Sequence, residues 1–199
     1  KTLEYAINSV LNNTVKPDHI YVSYSGLEYE KHTDEPLVTI IRQPNKLQQF
    51  EHYKFLTKYV NANDIVCFLD DDDLYAPNKI EVVKKEMTDE VTVLKHKFYI
   101  FGFCEPFKEY RYSSVNDNFS RFLSGANEYW TLCIRGQLFK DWFVTLHGEF
   151  TFDEIIARFR GLTDLVFVHS FLPCKEIPNA LIYIRKQDLK HCYNTHLIE

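Results

Sequence analysis

Four consecutive aspartates, Asp70 to Asp73, directly follow an apolar run, Ile65-Val66-Cys67-Phe68-Leu69. Five apolar residues in a row predict a strand buried on both faces. Pro77, shortly beyond the acids, suits the first turn of a helix, because its missing N–H would be unpaired there anyway. The acidic run therefore stands at the carboxyl end of a central strand, where open α/β sheets place their ligands. Like charges ~4 Å apart near a protein surface cost about 4 kcal/mol, so water must screen them or a cation must neutralise them. In an extended chain Asp70 and Asp72 point to the same side and offer two hard oxygens to one divalent ion. Magnesium and manganese commonly use one or two carboxylates and take other ligands from substrate phosphates. The plainer alternative is a solvated loop that favours the positive end of the next helix.

Other acidic sites fit less well. Counting from Asp70, the fifth and sixth positions of a calcium EF-hand fall on Leu74 and Tyr75, neither an oxygen ligand nor a glycine. Phosphatases with an Asp-x-Asp nucleophile after a strand want a Thr where Leu74 stands. The net charge of −5 leaves no basic face for nucleic acid or an anionic membrane. No apolar run is long enough to span a bilayer. The five cysteines carry no CxxC spacing and read as reduced thiols of a cytosolic protein.

Read in order, Leu3, Ala6, Ile7, Val10 and Leu11 recur at helical spacing and predict a helix from Lys1 to about Asn12. Strands are expected at 19–24 and 37–41, a helix at 47–59, then the central strand. Alternating strand and helix up to residue 88 is the signature of a parallel, doubly wound half. A helix with no strand before it is odd in such a fold, so a first strand is expected upstream of residue 1. Beyond Met87 the pattern turns to antiparallel strands at 91–94 and 98–103, with later strands at 127–134, 165–168 and 180–184. Helices are expected at 136–143 and 151–160. Trp130 and Trp142 are read as core rather than a sugar platform.

The segment from Lys1 to Thr14 resembles the first helix of family-2-like glycosyltransferases of the GT-A fold. Phe68-Leu69-Asp70-Asp71-Asp72-Asp73, followed by Pro77-Asn78-Lys79-Ile80, looks like that family's Asp-x-Asp segment and its Pro-x-Lys-Leu tail. The aromatic-rich variant looks most like glycosyltransferase domains encoded by large algal (chlorella) viruses. The resemblance implies a single domain over 1–199, with a nucleotide-binding half at 1–88 and an acceptor-side half at 89–199. Its fold would be α/β of the GT-A (Rossmann-like) kind, a mixed, mainly parallel central sheet flanked by helices.

It further implies transfer of a sugar from a UDP-sugar donor to a glycan or glycoprotein hydroxyl, with Mn2+ or Mg2+ clamping the diphosphate. By position, Asp72 would ligate the metal, and Asp70 or Asp71 would touch the ribose or the metal. His191 in the Tyr183 to His191 region is a further candidate ligand, with His196 second. The family's Asp-Asp-Gly-Ser is replaced by Ser23-Tyr24-Ser25-Gly26, so Ser23 would bond the base and Tyr24 stack on it. Lys46 is preferred over His52 and Lys54 as the basic residue reaching the nucleotide. Asp153 or Glu154 would act as general base on the acceptor hydroxyl, or would only favour the helix that follows. Gly125-Ala126-Asn127 resembles the loop before the acceptor-side strand. The expected setting is the cytoplasm, that of the host for a viral protein, within a longer multidomain chain. Two rivals remain open: a metal-dependent phosphotransferase or phosphatase with Asp70 as nucleophile, and a non-catalytic carbohydrate-binding module.

Overall fold

A computed structural model describes residues 2–26, 34–101, 129–144, 153–154, 157, 166–168, 170–171 and 173–185; Gly125, Ala126, Asn127, His191 and His196 lie outside them. The chain opens on α1 (Thr2–Leu11), with Ala6 and Val10 buried as the apolar spacing predicts. β1 (Ile20–Ser25) pairs in parallel with β2 (Val38–Gln43), Ile20 opposite Val38. α2 (Gln49–Leu56) follows, its first turn capped by the Gln48 N–H donating to Glu51 Oε2 at 2.6 Å. A 3-10 turn at Thr57–Tyr59 leads to β3 (Ile65–Cys67).

Then come β4 (Leu74–Tyr75), α3 (Lys79–Glu86), β5 (Val93–Phe101), a 3-10 turn at Tyr129–Thr131, β6 (Leu132–Arg135), α4 (Gly136–Val144) and β7 (Lys175–Arg185). Five of these strands form a second sheet in the order β3-β6-β5-β7-β4. Its pairs are antiparallel except β5 with β7. The result is a mixed α/β architecture flanked by helices. Among the described residues no helix is long and apolar enough to cross a membrane.

Several expectations change. The central strand pairs only through Cys67 and its residues are half-buried, because β3 has β6 on one side and no strand on the other among the described residues. Pro77 precedes the helix rather than opening it: α3 begins at Lys79, and Asn13 Oδ1 from beyond α1 accepts the Ile80 N–H at 3.0 Å. The apolar run at 165–168 is helical over Val166, Phe167 and Val168, since a short apolar run does not distinguish buried helix from buried strand. The two strands expected at 91–94 and 98–103 are one, β5, with register shifts against β7 on either side of Lys97. Pro178 stands in β7 where the register shifts, and it has no N–H to give to a ladder.

The core is aromatic. Phe50 of α2 packs against Tyr53, Tyr129, Trp142 and Phe167, with ring centroids 5.2–6.0 Å apart. Phe68, just beyond β3, meets Tyr53, Tyr129, Phe139 and Phe167 at similar spacing. Trp130 and Trp142 are both buried, as read from the sequence.

Arg135 ties the end of α3 to β6 by donating to the carbonyls of Met87 and Thr88 at 2.7 and 2.8 Å. Gly136 beside it fits because it lacks a side chain. A Cβ there would lie 1.9 Å from the Asn61 carbonyl oxygen. Gly136→Ala must therefore push the 61–64 turn away from β6, and we expect a loss of about 3 kcal/mol, as for an overpacked core, in urea unfolding. Unchanged stability would show that the turn yields freely.

Candidate active site

β3 delivers the acidic run, and the backbone turns at once. The Asp73 N–H donates to the Asp70 carbonyl at 3.2 Å, so the run is a turn and not an extended strand. Strand alternation therefore does not place Asp70 and Asp72 on one side. The four carboxylates have separate environments: Asp71 is exposed, Asp70 and Asp72 are half-buried, and Asp73 is buried.

Asp70 is held most firmly. Its Oδ1 accepts a hydrogen bond from Gln49 Nε2 at 2.9 Å and a second from the Tyr129 hydroxyl. Gln49 also donates to the Tyr129 hydroxyl, which in turn shares a hydrogen bond with half-buried Tyr53. Burial pushes the Asp70 carboxyl up to about 6; the Tyr129 bond opposes this, the charges of Asp72 and Asp71 add to it, and the Gln49 bond again opposes it. Both tyrosine hydroxyls are driven above their usual range, first by burial. They stay protonated and act as donors near neutral pH. Both donors converge on Oδ1. Asp71 Oδ2 receives the Thr2 hydroxyl at 3.4 Å, so the start of α1 abuts the run.

The carboxyl end of β1 supplies the facing wall. Ser23 Oγ lies 2.8 Å from His52 Nδ1 and accepts from Gln43 Nε2 at 2.9 Å. Ser25 Oγ lies 3.2 Å from His52 Nε2 and accepts the Leu47 N–H at 3.2 Å. Burial lowers the His52 pKa against the pull of Glu51, so the ring is neutral at physiological pH. Ser23, Tyr24, His52, Gln49, Asp70 and Asp71 all border one cavity of about 900 Å³.

Other expected residues fall elsewhere. Lys46 is exposed, lies before α2 rather than at its start, and does not border the cavity. Asp153 is exposed and paired with Lys54 at 3.3 Å, and Glu154 is exposed beside it. Lys79 of the tail motif points inward, fully buried, with Nζ 4.0 Å from the Tyr75 ring centroid, and burial lowers its pKa. Gln49, Tyr53, Tyr129 and His52 carry more of the geometry than the sequence reading assigned them. For Gln49 the Gln48/Glu51 capping pair was a usable signal, since it fixes where α2 starts. Nothing local marks Tyr129, which meets Asp70 across 59 positions of sequence.

Known proteins support this fold. Residues 1–144 match glycosyl transferase family 2. Among solved structures the chain is similar to S. aureus TarS. A structure of TarS 1–349 aligns over 93% of this chain and 57% of its own, with 17% identity and a TM-score of 0.60. A second TarS structure aligns over 94% and 34%, with 16% identity and a TM-score of 0.60. TarS 1–349 in complex with UDP aligns over 93% and 56%, with 14% identity and a TM-score of 0.56. The chain thus spans at most 57% of these structures, and such identities show the fold alone. No curated protein matches it, and none of these likenesses supports a particular kinship with algal-virus domains. With 144 of its 199 residues matched, the chain belongs to glycosyl transferase family 2.

Proposed function

We propose that this domain moves a sugar from a UDP-sugar to a hydroxyl of a glycan acceptor, using Mn2+ or Mg2+ at the aspartate run. The observation that carries this reading is Asp70, a carboxylate fixed through one oxygen by Gln49 and Tyr129 and bordering the cavity that Ser23 and His52 also line. The TarS structure with UDP supports the choice of nucleotide for a chain of similar fold.

The donor set suits a magnesium- or manganese-like ion. Among the described residues no three His, Cys, Asp or Glu side chains converge, and an ion held by only one or two carboxylates would take further ligands from the diphosphate and water. Asp70 is also a half-buried carboxylate raised first by burial and then by the charges of Asp72 and Asp71, a state that a cation would relieve. Asp72 and Asp70 would hold the ion, with His191 as a further ligand. When bound, it would offset the charge that develops on departing UDP.

The chain's own groups do the rest. Ser23, oriented by Gln43 and His52, bonds the base, and Tyr24 stacks on it. Asp71 lies within reach of the ribose. Asp153 or Glu154 takes the proton of the acceptor hydroxyl. The free thiols of Cys67, Cys133 and Cys174 support a reducing compartment, in this reading the cytoplasm.

The test is UDP release from a panel of UDP-sugars with glycan acceptors, with and without EDTA. We expect turnover of at least one donor, abolished by EDTA. His52→Ala, which frees Ser23, should raise the donor KM about tenfold, the loss of roughly one hydrogen bond, with kcat changed far less. Lys46→Ala should change KM less than His52→Ala. A beryllium fluoride adduct on Asp70 without UDP release would overturn the reading in favour of phosphotransfer. Metal-free glycan binding with no turnover would favour a binding module.

A further inference from the structure

Two thiols face each other where β3 pairs with β6. Cys67, the last residue of β3, is the register partner of Cys133, and their sulfurs lie 3.4 Å apart. The ladder explains the closeness. The Gly136 N–H donates to the Asp64 carbonyl at 2.7 Å, and the Arg135 N–H to the Thr92 carbonyl at 2.9 Å. Hydrogen-bonded and non-bonded pairs alternate along antiparallel strands. Val66 with Ile134 is then a bonded pair of β3 and β6, and Leu94 with Cys133 a bonded pair of β5 and β6. Cys133 therefore gives its peptide groups to β5 and meets Cys67 in a non-bonded pair, where opposite Cα atoms stand only about 4.5 Å apart. Disulfides span Cα separations of about 4.4–6.8 Å, so side-chain rotation can join these two with little movement of the strands.

Two small core side chains would need no further account, but a cation lies beside these. Lys79 of α3 is fully buried, and its Nζ has no hydrogen-bond partner among the described residues. The charges that act on it are those of Cys133, Cys67 and Asp73. A buried, unpaired ammonium is unfavourable, and a neighbouring thiolate offsets that penalty. Within the pair, the bond from the Cys133 thiol lowers the Cys67 pKa, burial opposes it, and Lys79 lowers it further. The same bond, with burial, drives Cys133 up. Thiolate character therefore collects on Cys67 while Cys133 keeps its proton. Access divides the same way, since Cys133 is 0% exposed, whereas Cys67 is half-buried and borders the cavity.

We propose that Cys67 and Cys133 are a site of oxidation by hydroperoxides, Cys67 being the attacking sulfur and Cys133 the resolving one. The Cys67 thiolate attacks one oxygen of the hydroperoxide. An S–O bond forms, the O–O bond breaks, and the departing alkoxide or hydroxide takes a proton from solvent, leaving a sulfenic acid on Cys67. The Cys133 sulfur then attacks the Cys67 sulfur. The S–S bond forms, the S–O bond breaks, and the hydroxyl leaves as water with the Cys133 proton. The pair thereby gives two electrons to one peroxide, and a thiol reductant restores it by exchange. The new bond ties the end of β3 to β6 just ahead of the turn that begins at Asp70. The inference does not depend on the UDP-sugar reading.

Hydrogen peroxide added to the reduced, folded protein tests it, with free thiols then blocked by N-ethylmaleimide and the peptides mapped by mass. A Cys67–Cys133 linkage should form, revert with dithiothreitol, and appear at least about tenfold faster than oxidation of Cys174 in the same molecule. Cys174 is the internal comparison: it too is half-buried, but burial and then Glu176 push its thiol up against the pull of Lys95. Cys133→Ser should leave a sulfenic acid on Cys67 that dimedone traps, and Cys67→Ser should leave Cys133 unreacted. Lys79→Met, which keeps the buried stem, should slow the linkage about tenfold. Should that variant not fold, the ratio of Cys67 to Cys174 oxidation in the wild type decides. Cys174 reacting as fast as Cys67, a linkage that forms only in urea, or pairing of either sulfur with another cysteine would overturn the proposal. No sugar donor enters these measurements, so failure here leaves the transferase reading untouched.

Discussion

With a chelator present, Asp70→Asn should melt roughly 6–12 °C above the wild type at pH 7.5 and nearly coincide with it below pH 4. Burial lifts the Asp70 carboxyl from its ordinary 3.8 to about 6 in the folded protein. A group raised on folding stabilises fully below its unfolded value and loses that contribution as pH climbs through its folded value. The window is therefore about pH 4 to 6, and above it the folded state carries an ionised, poorly solvated carboxylate. At about 1.4 kcal/mol per pH unit the cost is about 3 kcal/mol, an order-of-magnitude figure. Asparagine keeps an oxygen for Gln49 and Tyr129 while shedding the charge. The difference between the two proteins isolates this group, because His52 and the other titrating residues are common to both. A difference that does not vary with pH, or a variant less stable than wild type at pH 7.5, would mean that Asp70 is well solvated.

The second large effect runs the other way. UDP with Mn2+, each in excess, should raise the melting temperature of the wild type, and either alone should do little. Ligand at about 100 times its Kd stabilises by about 2.7 kcal/mol, here roughly 5–11 °C. Asp70→Asn and Asp72→Asn should both lose that response, so the more stable Asp70 variant is the one that no longer responds to donor. Equal shifts without metal, or a full shift in either variant, would count against a metal-bridged diphosphate at this turn.

The first half of the chain was readable because its signals are local. Apolar spacing marked α1, and the acidic run after an apolar stretch marked the end of β3. What the residues did not disclose depends on distant contacts. Whether Asp70 is a solvated acid or an enclosed one turns on Tyr129 and Gln49, and nothing adjacent in sequence reports them. The extended run expected from Asp70 to Asp72 became a turn because ladder pairing stops at Cys67. Val166 to Val168 defeated the reading for another reason: a core of packed rings accepts a short apolar run in either backbone form. Lys46 was favoured over His52 for an expected place at the helix start, yet α2 begins only at Gln49, and it is His52, neutral and hydrogen-bonded, that holds the wall beside Ser23.

Phe50 touches Tyr53 and Tyr129 edge-on or nearly so, at 5.5 and 5.6 Å between ring centres, and the Tyr129 hydroxyl, bonded in turn to Tyr53, reaches up to Asp70. The oily interior is consequently a tuning screw for the polar mouth. A lineage adapting to a new donor need not alter any residue that meets it; reshaping a ring two layers down would tilt Tyr129 and re-aim Asp70 from beneath.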